Sequence, residues 1–589
     1  MEVKRVFDLL SRFAELFPEK QDVFSAKENG IWVKTSTKDY IENSNNISYG
    51  LLALGVKRGD KIASIMPNRP EWNFLDIGIQ QVGAIHIPIY PTISDKDYLY
   101  ILQHAEVNYV FVEGAEMYRR IKHLIKDIPT LKTVYTFNKI EGVDDFSQLL
   151  ELGEKNQAKV ELQTIKDSIS ENDILTIIYT SGTTGHPKGV VLTHKNLVFN
   201  FVGVSYIPAP YPQYRAMSFL PLCHIYERMI NYMYQYLGLT TFYAENLASV
   251  ADNMKEVNPE ILSTVPRFLE RIYDKIVNKG RKLTGIKKIM FFWALKLGTR
   301  YELNGENGWF YEFQLKIARK LVFVKWKEAL GGNLDLIVSG GAAIQPKLER
   351  IFWAAGFRVI AGYGLTETSP VVSVNTLDKN GVKFGTVGPV LKGIEIKIAE
   401  DGEILTKGPC LMQSYYKEPE MTKEAIDCDG WFHTGDIGTL LDSGQLKITG
   451  RKKEIFKTSF GKYIAPQFIE DKFKESPLIE NLFVIGENQK FAAAIIAPDF
   501  PHLREWCEEN KIEFTTNKET LEKPEVKMYF KKEIAKYNSE LGDTEQIKKY
   551  EIVDSEWSIE SGEITATLKL RRTFMQERYK PLIDKIFNQ

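Results

Sequence analysis

Four cysteines, Cys223, Cys410, Cys428 and Cys507, are all that the 589 residues contain. None sits in a CxxC pair, so the chain offers neither a thiolate metal site nor a disulfide framework, and a reducing compartment suits it. Long apolar runs are missing too: none reaches the ~18 residues needed to cross a bilayer. The opening stretch, MEVKRVFDLLSRFAELFPEK, mixes charge with apolar residues at helical spacing and lacks the apolar centre of a secretory signal. These absences predict a cytoplasmic protein. An excess of one charge is also lacking. Lys and Arg number 76 against 77 Asp and Glu, a net charge of -1, so no overall field gathers nucleic acid. What the chain does have is length and apolar content. At 589 residues and 44% hydrophobic it exceeds what one core accommodates and predicts two or more globular domains.

From about Ile47 to Thr180, helical patterns alternate with short apolar runs, KIASIMP, AIHIPIYP and VNYVFVEG. That rhythm predicts an α/β sheet. A further strand-like run, LDLIVSGGAA, leads into QPKLERIFWAAG and then RVIAGYGLTET. After about Pro370 the texture changes. IEIKIAEDGEILTKG alternates with period two around an Asp-Gly turn, as a hairpin does, and LDSGQLKITG has the same look. From Arg451 onward the chain is charged and mixed, with IIAPDF as one strand among Lys/Glu-rich helices. The expected organisation is a large α/β domain over 1–449, a linker at 450–453 and a small domain over 454–589.

One stretch asks for chemistry. YTSGTTGHPKGVV, Tyr179 to Val191, follows the strand-like DILTIIYT, where a glycine loop can turn its amides toward an anion. It is not the Walker A loop, GxxxxGK[ST]. Gly182 and Gly185 stand too close together, Pro187 separates glycine from lysine, and Gly189 occupies the place of the magnesium-binding Ser or Thr. What remains is Ser181, Thr183, Thr184 and Lys188, a hydroxyl-and-amide loop suited to a departing polyphosphate. The plain alternative is an ordinary glycine turn, which the four hydroxyls of Thr180, Ser181, Thr183 and Thr184 and a lysine in one short stretch disfavour.

Together with LPLCHIYER at 220–228, GYGLTET at 362–368, GWFHTGDIG at 430–438, GRKKEIFKTSFGKYIAP at 450–466 and ITATLKLRR at 564–572, this loop resembles the signature set of the adenylate-forming superfamily. The nearest resemblance is to long-chain fatty acid–CoA ligases. It implies a large domain of α/β sheet subdomains with a small β-barrel, followed by a small mobile α+β domain. It also implies a reaction in two halves. A carboxylate attacks the α-phosphate of ATP and expels pyrophosphate; a thiol, that of CoA, then attacks the acyl-adenylate and expels AMP. Two anions meet in the first half, so cations must offset their repulsion.

The resemblance assigns Thr180 and Glu367 to Mg2+, whose preference for hard oxygen donors they match. It assigns Thr366 to the α-phosphate and Tyr363, in its Gly364 turn, to the adenine face opposite Gly341, Ala342 and Ala343. Asp436 takes both ribose hydroxyls, joined by Arg451. His224 orients the substrate carboxylate beside the acyl tunnel. Arg228 stands where some members carry a gating tryptophan; it either holds the fatty carboxylate or pairs with Glu227. Lys453 falls at the hinge, Lys457 contacts nucleotide, and Gly461 lies where the pantetheine arm would pass. Lys569 bridges carboxylate and α-phosphate during adenylation, although Ala566 replaces a proline common in related enzymes. Lys569, Arg571 and Arg572 also alternate like one solvated basic face.

Fatty acid, ATP and CoA are thus the implied partners, with no nucleic acid; a homodimer is left open. A carrier protein as acceptor and a sensor without turnover stand as the rival readings. About twenty residues follow Lys569, and the expectation is a free thiol acceptor rather than a fused carrier. From Lys275 to Arg300 the chain has eight Lys or Arg and no acid. There the block IMFFWALKL reads either as a membrane-interface helix or as a packed helix whose lysines face water.

Overall fold

The computed structural model describes residues 2–180, 186–208, 213–452, 454–460, 462–558, 561–564 and 570–588. The chain forms two compact units. The first holds residues 1–397, 405–433 and 441–446; the second holds 398–404, 434–440 and 447–589. The second unit therefore starts close to the expected linker but also takes in two earlier segments.

The first unit carries two large sheets. The alternating runs between 47 and 180 become strands Lys61–Ile65, Ile85–Pro88, Tyr109–Val112 and Thr133–Thr136, which pair in parallel through the crossover helices between them. With Ile174–Thr180, Lys188–Thr193 and Ser414–Tyr415 they make a seven-stranded sheet. Five of the seven residues in Ile174–Thr180 are buried, as a central strand covered on both faces requires. The second sheet has eight strands, with Arg215–Ser218, Ile261–Thr264, Leu336–Ser339 and Arg358–Gly364 running parallel at its centre. Helices pack between and around the sheets, and one large apolar cluster joins residues from both.

Helix starts are fixed locally. Thr193 caps the helix His194–Val204, its hydroxyl accepting from Asn196 N while the Asn196 side chain returns the bond, a reciprocal cap of the capping-box kind. Ser36 and Asp39 do the same for Thr37–Ala53. No described helix is long and apolar enough to cross a membrane. All four cysteines are free, and only Cys428 is exposed.

The two stretches read as hairpins, IEIKIAEDGEILTKG and LDSGQLKITG, contribute to a four-stranded sheet, in the order Glu395–Ile398, Glu403–Lys407, Phe432–Leu440, Leu446–Arg451. Its Asp-Gly turn is a tight hairpin, closed by Ala399 N on Glu403 O with Gly402 at φ +85°. Within the second unit, Ile479–Ile485, Ala493–Pro498 and Lys549–Ile552 form a three-stranded sheet. Separate apolar clusters fill its two sides, one with the helices through residue 537 and one with the C-terminal helices.

Candidate active site

The central strands of the eight-stranded sheet run the same way, so their carboxyl ends share one edge. Ligands of open α/β sheets bind at that edge. Leu220–His224 leaves it after Ser218, Gly340–Ala343 after Ser339, and Gly364–Glu367 after the strand Arg358–Gly364. His224, Gly341, Ala342, Tyr363, Gly364 and Thr366 are thereby carried to one edge of one sheet. His224 stands at the start of the helix Ile225–Leu237, where its Nδ1 accepts from Tyr226 N at 3.2 Å. The Tyr226 hydroxyl donates to Val338 O at 3.0 Å, which ties this helix start to the strand leading into the Gly340–Ala343 turn. Gly341 takes φ +80° there, a conformation that suits glycine.

The Tyr363 turn is equally determined. The pairing of its strand with Val371–Val374 slips between Tyr363 and Gly364, and bulges of this kind re-aim side chains at sites. A Cβ on Gly364 would fall 1.7 Å from Pro370 O, so no other residue fits. Thr366 is buried in the short helical turn that follows. Asn200 clamps the far side, donating to Thr368 O and Val371 O and accepting from Val371 N at 2.8 Å. One turn earlier on the same helix, Asn196 donates to Pro409 O and Leu411 O.

The seven-stranded sheet brings the other half. Thr180 and Lys188 are direct partners across the hairpin, so the loop between them is closed by two of the expected site residues. The loop itself, Ser181, Gly182, Thr183, Thr184 and Gly185, lies outside the described residues. Strand Ser414–Tyr415 adds to the same hairpin, pairing Tyr415 with Val190. Tyr415 then links the two sheets: Lys188 Nζ sits 5.2 Å from its ring centroid and its hydroxyl donates to Glu367 Oε1 at 2.8 Å. Burial, together with the Glu367 charge, pushes the Tyr415 hydroxyl well above its usual range, so it stays protonated as a donor. Met412 N donates to Glu367 O at 2.8 Å. Glu367 is held by side chain and main chain at once.

Sequence reading missed Tyr415, Asn196 and Asn200. Their signals were faint: a tyrosine pair in SYYKEPE, and two asparagines four apart in THKNLVFN. It also missed Tyr90. This ring lies 6.4 Å from His224, and its buried hydroxyl has no hydrogen-bond partner among the described residues.

Arg228 corrects both expectations placed on it. It is fully buried and pairs with Asp76, while its other nitrogens donate to Thr176 and Tyr232 at 2.8 Å each. Asp76 also binds His86, whose Nε2 reaches Ser64. Burial alone would raise the Asp76 carboxyl, but Arg228, His86 and Tyr232 hold it at about 2. Every strong donor of Arg228 faces a protein acceptor, so it is not available to a fatty carboxylate. Glu227 instead accepts from Ser218 and Ser263, and burial pushes its carboxyl up to about 7.

In the second unit, Asp436 is nearly buried and accepts from Arg451 Nε at 2.8 Å, while its own N–H donates to Thr434. The fifteen-residue spacing of the pair is bridged by neighbouring strands. Lys457 is exposed beside the ring of Tyr463, its strand partner. Arg572 is no solvated cation: it lies between Glu470 at 2.6 Å and Glu454 at 3.1 Å. Lys453, Gly461, Ala566 and Lys569 lie outside the described residues.

Residues 10–416 match the family of AMP-binding enzymes, and residues 454–589 match the AMP-binding enzyme C-terminal domain. The chain is 31% identical to the long-chain-fatty-acid–CoA ligase FadD15 of Mycobacterium bovis, over 95% of this chain and 93% of the relative. It is 31% identical to fatty acyl-CoA synthetase A of Dictyostelium discoideum, over 94% and 86%. Among solved structures, an anthranilate CoA ligase in complex with anthranoyl-AMP superimposes with a TM-score of 0.73 at 17% identity, covering 98% of each chain. That likeness concerns the fold. The two matched segments and the relatives at this identity establish that the chain belongs to the AMP-binding, adenylate-forming enzymes.

Proposed function

We propose that this protein is an AMP-forming long-chain fatty acid–CoA ligase. The observation that carries the reading is the junction of Thr180, Lys188, Tyr415 and Glu367, with the glycine turn at Gly364 and Thr366 beside it, in a chain whose relatives act on long-chain fatty acids. In the first half-reaction the acid's carboxylate attacks the α-phosphate of ATP and pyrophosphate leaves. Thr366 donates to the α-phosphate, and the loop from Ser181 to Gly185, with Lys188 at its end, holds the departing phosphates through amides, hydroxyls and one cation. Tyr363 and the Gly341–Ala342 turn take the adenine. Asp436 accepts from the ribose hydroxyls, with Arg451, Lys453 and Lys457 assisting on the nucleotide, and Lys569 offsets the approach of the two anions. In the second half-reaction the CoA thiol attacks the acyl carbonyl and AMP leaves.

His224 orients the acid. Tyr90 supplies a second donor beside it, a buried hydroxyl with no partner among the described residues. Glu367 and Thr180 fit Mg2+: they offer one carboxylate and one hydroxyl, and this ion is commonly held by one or two carboxylates with water and phosphate completing its shell. Bound there with the nucleotide, it would neutralise phosphate charge. The reading also has the enzyme draw its acid from a membrane surface, since long acyl chains partition there.

Mixing the protein with ATP and palmitate tests this. Pyrophosphate release separates an enzyme from a nucleotide- or lipid-binding sensor. A requirement for CoA before a thioester forms separates a CoA ligase from one that loads a carrier protein.

A further inference from the structure

The basic stretch 275–300 folds as two helices, Pro266–Arg281 and Gly285–Thr299. The apolar block in the second is largely used inside: Phe291, Ala294 and Leu297 are buried in the core with Tyr311, Leu315 and Ala318. What this segment leaves outside is Ile286 and Ile289, 74% and 71% exposed, around Lys287 and Lys288.

The stronger surface lies on the next helix. Trp309–Ala318 packs against Gly285–Thr299, the Tyr311 hydroxyl donating to Leu297 O at 2.7 Å, and continues through a π-helical turn, Arg319–Phe323, into Val324–Ala329. Its inward residues are Tyr311, Leu315, Ala318, Phe323 and Trp326. Its outward residues include Trp309, 81% exposed, and Phe310, Phe313 and Leu321, each more than half exposed. Lys316, Arg319 and Lys320 are exposed along the same helix. Trp309 and Phe310 meet edge to face with centroids 5.7 Å apart.

Exposed aromatic and aliphatic residues gathered in this way mark an interaction surface. Charge decides between occupants. On this helix and its turn the exposed Lys316 and Lys320 outnumber the one acid, Glu312, so a second copy meeting the face through a two-fold axis would bring together two surfaces of net positive charge. An anionic lipid surface attracts them, while Trp, Phe and Leu enter the headgroup region. We infer that the helix Trp309–Ala318 and its continuation to Leu321, flanked by Lys287 and Lys288, dock this protein on anionic bilayers. The inference deepens the fatty acid reading by naming the surface from which the substrate is taken.

The test is sedimentation with phosphatidylcholine vesicles, with and without phosphatidylglycerol, at low and high salt. The wild type pellets with the anionic vesicles at low salt and is released at high salt, where the Debye length falls to about 3 Å at 1 M. Trp309→Ser with Phe313→Ser, and separately Lys316→Glu with Lys320→Glu, each lower partitioning at least about tenfold. Both variants keep wild-type pyrophosphate release with a soluble medium-chain acid and no lipid. Wild-type protein that does not pellet with anionic lipid, or a serine variant that pellets equally well, overturns the inference. So does a wild-type dimer that the serine variant dissolves without any lipid binding. Absent pyrophosphate release from the wild type would instead refute the enzymatic reading, whatever the vesicles show.

Discussion

The Tyr415 hydroxyl donates to Glu367 Oε1 at 2.8 Å, and this bond joins an edge strand of the seven-stranded sheet to the turn leaving the eight-stranded one. Tyr415→Phe removes the bond without opening a cavity. We expect about 1 kcal/mol lost in stability and a rise of about tenfold or more in the magnesium needed for half-maximal pyrophosphate release. An unchanged magnesium curve would show that Tyr415 only packs.

Tyr90 behaves in the opposite way if it serves substrate. Its buried hydroxyl has no partner among the described residues, so Tyr90→Phe leaves the melting temperature unchanged or raises it. The KM for the acid nevertheless rises about tenfold, the cost of a lost hydrogen bond to a charged group, with the KM for ATP unmoved. Equal KM values for the acid in the two proteins would remove Tyr90 from the site.

Glu349 gives a pH signature. It is buried in the first turn of the helix Pro346–Ala355; Oε2 accepts from Gly385 N at 2.8 Å and Oε1 has no partner among the described residues. Burial pushes its carboxyl from the usual 4.5 up to about 8. A raised carboxyl favours the protonated folded state, so this contribution to stability is full below 4.5 and is lost as pH rises through about 8. Thermal unfolding between about pH 5 and 9 should therefore fall more steeply for wild type than for Glu349→Gln. Parallel profiles would contradict the burial of this charge.

Lys569→Ala separates the half-reactions. If its charge serves only where carboxylate and phosphate meet, acyl-adenylate formation drops about a hundredfold or more. Thioester formation from pre-made acyl-adenylate stays at the wild-type rate. An equal fall in both steps would make Lys569 structural.

Legibility in the sequence followed locality. The strands of the first sheet could be read because each is a short apolar run between helical patterns. The GYGLTET turn could be read through its resemblance to a family motif, and the structure supplies the backbone reason for its glycine, since a Cβ on Gly364 would meet Pro370 O. Arg228 could not, since its partner Asp76 lies 152 residues away and one-dimensional spacing offered only Glu227. Tyr415 sits in a two-residue strand whose pairing partner is Val190, too short for any periodic signal. The block 289–297 shows the limit of amphipathicity: a core face and a membrane face have the same helical period. The truly exposed apolar face, from Trp309 to Leu321, gave no stronger pattern than the buried one.

The most direct measurement of the central claim is exchange of labelled pyrophosphate into ATP, with palmitate and magnesium but without CoA, followed by a CoA chase. The account predicts palmitate-dependent exchange before CoA is added, its loss by at least about a hundredfold in Glu367→Gln, and conversion of the bound acyl-adenylate to palmitoyl-CoA on the chase. Exchange that needs CoA, or exchange that yields no thioester when CoA arrives, would contradict it.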